Sequence, residues 1–126
     1  MLALNTHRKR IESPSQQDVM DAINDLHNGK TVDVKLVDHD SNDYVFVSGN
    51  NQNRSFVSFW RYTDGACAFV VDYMQTGDVA LNVGGVTTEY GMPEAAVPQE
   101  MVVEALLYFL REQGLSPELD WEWESQ

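Results

Sequence analysis

Between Thr31 and Tyr90 apolar and polar residues alternate in short runs, and the runs are separated by segments too brief to hold a helix. Val32, Val34 and Leu36 alternate with Asp33 and Lys35, which predicts a strand with one wet face, and the cluster from Asp38 to Asp43 predicts a turn. Tyr44–Ser48, Ser55–Tyr62 and Cys67–Tyr73 follow, divided by the turn-rich GNNQN and TDG. A further strand, Asp78–Val83, leads through Gly84-Gly85 into Val86–Tyr90. Connections this short suit antiparallel hairpins, so the segment predicts an antiparallel meander.

A helix is expected on each side of the meander. In SPSQQDVMDAINDLHNG, Ser13 is placed to cap, Pro14 to open the first turn, Gln16 to complete a capping box and Gly29 to stop the helix. Val19, Ile23 and Leu26 form one apolar stripe, with Asp18, Asp21 and Asp25 largely off it. The second helix is expected from Pro98 to Gly114, with Met101, Val102, Ala105, Leu106, Phe109 and Leu110 as a wide apolar face. Such faces need an apolar surface to lie on. The prediction is therefore one α+β domain over residues 1–126, an antiparallel sheet of about five to six strands with two helices packed against it.

Two segments leave a choice open. In SFVSFWRY, Phe56 and Trp60 point one way while Val57 and Phe59 point the other. Either both faces of the sheet are covered, or one presents aromatics to a partner. In WEWE, Trp121 and Trp123 share one face of an extended segment; Trp121 is expected to close the core and Trp123 to be partly exposed, unless the pair anchors a partner.

At 126 residues with 43% hydrophobic and 22% charged residues, the chain can bury a sizeable core with no metal or disulfide. Its single cysteine, Cys67, cannot form an internal bridge. No apolar stretch approaches the roughly 18 residues of a membrane span. The basic cluster of MLALNTHRKRIES follows its short apolar start, the reverse of a secretory signal, so a cytoplasmic protein is expected.

Charge narrows the partners. The net charge is −12, and residues 62–126 hold 12 of the 20 acidic residues with Arg111 as their one Lys or Arg. Nucleic acid and anionic membranes are polyanions that recruit Lys and Arg, so neither is expected as a direct ligand. A basic protein partner fits better; acidity for solubility is the plainer alternative.

Catalytic chemistry finds little support. His7, His27 and His39 have no Cys or His nearby at metal-ligand spacing, so no metal site is expected. Cys67 opens an apolar strand, the setting of a small buried hydrophobe. Gly84-Gly85 lies between two strands rather than before a helix, and so lacks the arrangement of a phosphate cradle. No cofactor is expected. Glu89, beside Tyr90 at a strand end, is the acid that stands out.

From about Asp64 to Trp123 the chain resembles immunity protein family 1 of bacterial polymorphic toxin systems. The residues that carry the resemblance are Tyr90, Met92-Pro93, Val97-Pro98, the helix segment Ala105 to Phe109, Gly114-Leu115-Ser116-Pro117 and Trp121. Ala105 and Phe109 are spaced one residue further apart than in the family pattern. Ser116 stands where many relatives carry Arg, so no role of that Arg is carried over. The resemblance implies a non-enzymatic antitoxin that binds a cognate secreted toxin domain and occludes its active site; some members accompany nucleic-acid deaminase toxins. On this reading Glu89, Tyr90 and Glu94 are the first candidates for partner contact, with Asp72, Asp78 and Trp60 behind them. The alternative is a small cytoplasmic enzyme or ligand-binding regulatory module using Cys67 or a pocket between sheet and helix.

Overall fold

The computed structural model describes residues 1–7, 9–51, 54–73, 80–83, 86–89 and 96–124, with 51, 80–83 and 86–89 described as backbone. In chain order the elements are β1 (Leu2–Thr6), β2 (Arg10–Glu12), α1 (Gln16–His27), β3 (Asp33–Asp38), β4 (Tyr44–Asn51), β5 (Arg54–Trp60), β6 (Cys67–Val71), β7 (Ala80–Val83), β8 (Val86–Glu89), β9 (Val97–Pro98), α2 (Gln99–Glu112) and β10 (Asp120–Trp123).

Eight strands form one sheet in the order β10-β6-β5-β4-β3-β1-β2, with β9 also pairing with β5. Every pairing is antiparallel. The α+β architecture is as expected, and the meander runs from β3 to β6. The main sheet has more strands than expected because β9 and β10, on either side of α2, join it, as do β1 and β2 of the N-terminal segment. Leu4 lies opposite Ile11 on one side and Leu36 on the other, which gives this charged segment an apolar seam. The meander also ends early: among the described residues β7 and β8 pair only with each other, as a separate hairpin whose first strand lies against β4 and β5.

Alternation along the strands sorts the core. Leu4, Val34, Leu36, Val45, Val47, Val57, Phe59 and Val70 join Val19, Ala22, Ile23 and Leu26 of α1 and Val102, Ala105, Leu106 and Phe109 of α2 in one buried cluster. Each large side chain buried this way contributes about 1.5–3 kcal/mol of hydrophobic stabilisation. Met101 and Leu110 flank this cluster, half-buried, so the apolar face of α2 is as wide as the sequence suggests.

The first helix begins later than its residues suggest. Ser13 is still held by the sheet, its N–H donating to the Leu2 carbonyl at 2.8 Å with φ at +50°. Ser15 is the cap instead. Its Oγ accepts the Asp18 amide at 3.1 Å, and Asp18 Oδ2 accepts the Ser15 amide at 2.9 Å, a reciprocal capping box. At the end of α2 the left-handed residue is Gln113 rather than Gly114.

After α2 the chain turns on Ser116, which is buried. Its Oγ donates to Glu104 Oε2 at 2.6 Å, and its carbonyl accepts the Trp121 indole N–H at 3.1 Å. This polar knot ties β10 to α2. Trp121 then lies opposite Val70 and Trp123 opposite Ala68, both on the helix side; Trp121 is half-buried against the core and Trp123 is 45% exposed.

Candidate functional site

The open question about the second sheet face has a divided answer. Toward one end, Ser48, Ser58, Phe69 and Val71 are buried, and the Phe56 and Phe69 rings meet at 6.0 Å. At the other end, where β5 turns into β6, aromatic side chains reach solvent. Trp60 is 37% and Tyr62 69% exposed.

The register builds this end. Trp60 lies directly across from Tyr44 in the β4–β5 pair, and their rings stack with centroids 6.1 Å apart and planes 17° from parallel. The Trp60 indole N–H donates to Ser58 Oγ at 3.0 Å, so the ring's polar atom is satisfied within the sheet. Lys35 Nζ stands 4.2 Å from the centre of the Tyr44 ring. The Tyr62 amide donates to Asp43 Oδ1 at 2.9 Å, which holds this tyrosine beside the pair. Asn42, Tyr44, Trp60, Arg61, Tyr62 and Gly65 line a shallow groove of about 180 Å³.

The turn behind the groove is stiff. The Arg61 amide donates to the Ala66 carbonyl at 2.9 Å and Gly65 N–H to the Arg61 carbonyl at 3.0 Å, with Gly65 at φ +70°, a conformation that favours glycine. Arg61 clamps Asp64 through Nε at 3.0 Å and Nη2 at 2.8 Å. The guanidinium and the Ala66 amide hold the Asp64 carboxyl down to about 2, so it is ionised throughout the physiological range. The same guanidinium lies 4.8 Å from the centre of the Trp123 ring, and that ring meets Phe59 edge-on at 6.2 Å. The Trp60 and Trp123 rings are thus anchored to the sheet, the turn and the core, and Tyr62 is fixed through its backbone.

Among the described residues, Trp60 is the one expected contact residue whose side chain this site contains. Asp72 is placed elsewhere: buried, it accepts a hydrogen bond from Arg54 Nη1 at 3.1 Å, and the same nitrogen donates to the Ala96 carbonyl at 2.8 Å. The geometry of the sheet explains this. β6 pairs with β5 at Ser58–Trp60, while β9 takes the same edge of β5 at Arg54 and Ser55. Arg54 bridges the step between them, and Asp72 helps to fasten the frame. Glu89 ends β8, opposite Ala80. Tyr90, Glu94 and Asp78 lie outside the described residues.

Cys67 lies across from Trp60, 2% exposed, with its thiol 3.9 Å from the Ala68 carbonyl. Burial, with the Glu124 charge adding to it, pushes the thiol up to about 11, so it is protonated at neutral pH and a poor nucleophile. No group of three or more His, Cys, Asp or Glu among the described residues is placed to hold a metal ion, and no described helix is long and apolar enough to cross a membrane. A wider groove of about 540 Å³ lies beside Thr6, Lys9, Asp25, Gly29, Lys30 and Thr31, remote in sequence from the aromatic end.

Sequence reasoning missed Tyr44, Arg61 and Tyr62. Tyr44 and Tyr62 were visible as aromatics at strand ends bordering turns. Their convergence with Trp60 depends on the register of β4 against β5, which includes an irregularity between Ser48 and Asn51 that the residue pattern does not signal. No known protein-family model matches this chain, and no curated protein matches it.

Proposed function

We propose that this chain is an immunity-type protein: an acidic α+β domain that binds a cognate, basic toxin domain in the cytoplasm and blocks its catalytic cleft, without catalysing a reaction itself. The observation that carries the reading is the group of exposed Trp60, Tyr62 and Trp123 around Arg61 at one end of a stiff sheet. Trp, Tyr and Arg are the residue types that dominate binding energy at protein interfaces, and rings already held in place lose little freedom on binding.

Charge supports the same conclusion. A toxin acting on DNA or RNA needs a basic substrate groove, and a nucleic-acid deaminase is such a toxin. A partner carrying −11 over residues 62–126 complements that groove and is steered toward it. The resemblance of residues 64–123 to an immunity family points the same way. Glu89, Tyr90, Glu94 and Asp78 remain proposed contacts, with Trp60; Asp72, paired with Arg54, is better suited to holding the frame. The competing enzyme reading rests on Cys67, and a buried thiol with a raised pKa weakens it.

The test is co-expression with the toxin domain encoded beside this gene. Growth rescue and co-purification of a stoichiometric complex are expected. A chain that neither rescues growth nor binds the neighbouring product would sink the proposal.

A further inference from the structure

Resting on that reading, we infer that the groove between Tyr44, Trp60 and Tyr62 receives one basic side chain of the partner, an arginine in preference to a lysine. Its size sets the first limit. At about 180 Å³ it is smaller than the roughly 300–1,000 Å³ clefts that take drug-sized ligands, and is on the scale of a single side chain.

The walls set the second. Aromatic faces attract cations lying within about 6 Å of the ring centre, and this end of the molecule already holds two of its own: Lys35 on Tyr44 at 4.2 Å and Arg61 on Trp123 at 4.8 Å. Trp60 is the strongest cation-binding ring type, and it is partly open to solvent with its N–H turned to Ser58.

Charge at the rim is balanced, Lys35 and Arg61 against Asp43 and Asp64, so it does not repel a cation. Asp43 is adjacent in sequence to the lining residues Asn42 and Tyr44 and is bound to the amide of Tyr62, so its carboxylate is fixed at the edge of the groove. Arg61 adds no net positive charge to the rim, because Asp64 neutralises it through two hydrogen bonds. An anionic occupant would be repelled by the ring faces and by Asp43, and a neutral one would forgo the attraction of both for a cation. A guanidinium is planar, stacks on aromatic rings and sheds water more easily than an ammonium, which selects arginine over lysine.

Two arms test the inference. In the first, the isotope-labelled protein is titrated with Nα-acetyl-arginine amide and, separately, with its neutral isostere, Nα-acetyl-citrulline amide. The Trp60 indole and the Tyr62 and Gly65 amides should shift with the arginine compound and several-fold less with citrulline, the difference being the cation's attraction to the rings. Equal shifts from both, or arginine-induced shifts confined to carboxylates elsewhere, would overturn it.

In the second arm, Trp60→Ala and Tyr62→Ala are compared with the unmodified chain for affinity to the neighbouring toxin domain. Each should lose about tenfold or more at unchanged fold, the scale of a truncated interface anchor. Should Trp60→Ala unfold the sheet end, Tyr62→Ala decides, since its ring is mostly in solvent. If the unmodified chain binds and both variants bind as tightly, the groove assignment fails while the immunity reading stands. If the unmodified chain does not bind at all, the immunity reading fails, and the titration alone decides whether the groove takes an arginine.

Discussion

Two adjacent rows cross the main sheet in the same register. On the helix side, Leu4, Leu36, Val45, Phe59 and Ala68 stand opposite one another and are all buried. One residue along, on the opposite side, the row runs Ala3, Val37, Tyr44, Trp60 and Cys67, and it surfaces at the stacked tyrosine and indole. Backbone geometry and apolar content are much alike in the two rows. What differs is the cover: α1 and α2 seal the first, while the second opens to solvent at Trp60. Alternation dictates which side chains share a face, but only the neighbouring elements decide whether that face stabilises the fold or remains available for recognition.

The comparison can be broken by substitution, and the largest effect should lie on the helix side. Phe109 is fully buried and its ring meets Phe59 at 6.3 Å. Phe109→Ala should cost about 3–5 kcal/mol in denaturant unfolding, the range for emptying a large aromatic site. A loss no greater than that of Trp60→Ala would erase the distinction between the faces.

Next comes the frame that joins them. Arg54→Met removes the hydrogen bonds that Arg54 gives to the Asp72 carboxylate and the Ala96 carbonyl, and should cost about 3 kcal/mol because a largely buried ion pair is broken. The double variant Arg54→Met with Asp72→Leu should recover part of that loss. If Arg54→Met melts like the unmodified chain, the step from β6 to β9 is held by other contacts.

The helix side also depends on its caps. Ser15→Ala removes one half of the capping box of α1 and should cost about 1 kcal/mol, measurable as a shift in the unfolding midpoint. Ser13→Ala should cost less, since Ser13 is no cap; the opposite order would move the helix start back to where the sequence alone puts it.

The smallest effect is one of pH. The ring nitrogens of His27 are buried, and burial lowers its pKa below the ordinary 6.5; the nearby Gln99 side chain opposes this only weakly, since it makes no hydrogen bond of good geometry with the ring. A histidine kept neutral by folding gives stability that is present above 6.5 and declines as the pH falls below it, because the unfolded chain then takes up the proton first. Unfolding midpoints measured across that range should therefore drop on acidification, and less so in His27→Gln. Identical slopes in both proteins would remove His27 from the account.

Much of this fold is legible in the residues. The stripes of α1 and α2, the turn from Asp38 to Asp43 and the strands around Val34, Val47 and Val57 follow from local periodicity, and the structure places them as expected. Three features were not legible, for one shared reason. The strand Leu2–Thr6 is too short and too near charged residues to announce itself; it exists through pairing with β3, some thirty positions on. Asp72 looks like one more surface acid until Arg54 is seen across the step between β6 and β9. Trp60 is recognisable as an outward aromatic, but its stack with Tyr44 is set by cross-strand register. Local pattern carries periodicity; it does not carry long-range pairing.

On this reading recognition belongs to the aromatic end of the sheet, where β5 turns into β6, and stability to the surface that α1 and α2 seal. Hydrogen exchange of the chain alone and in complex with the proposed toxin partner tests this most directly. Protection on binding should appear in the β5–β6 turn at residues 60–67 and around residues 86–94, with α1 and α2 exchanging as they do in the free chain. Protection gained along α1 and α2, with the 60–67 turn unchanged, would contradict the claim.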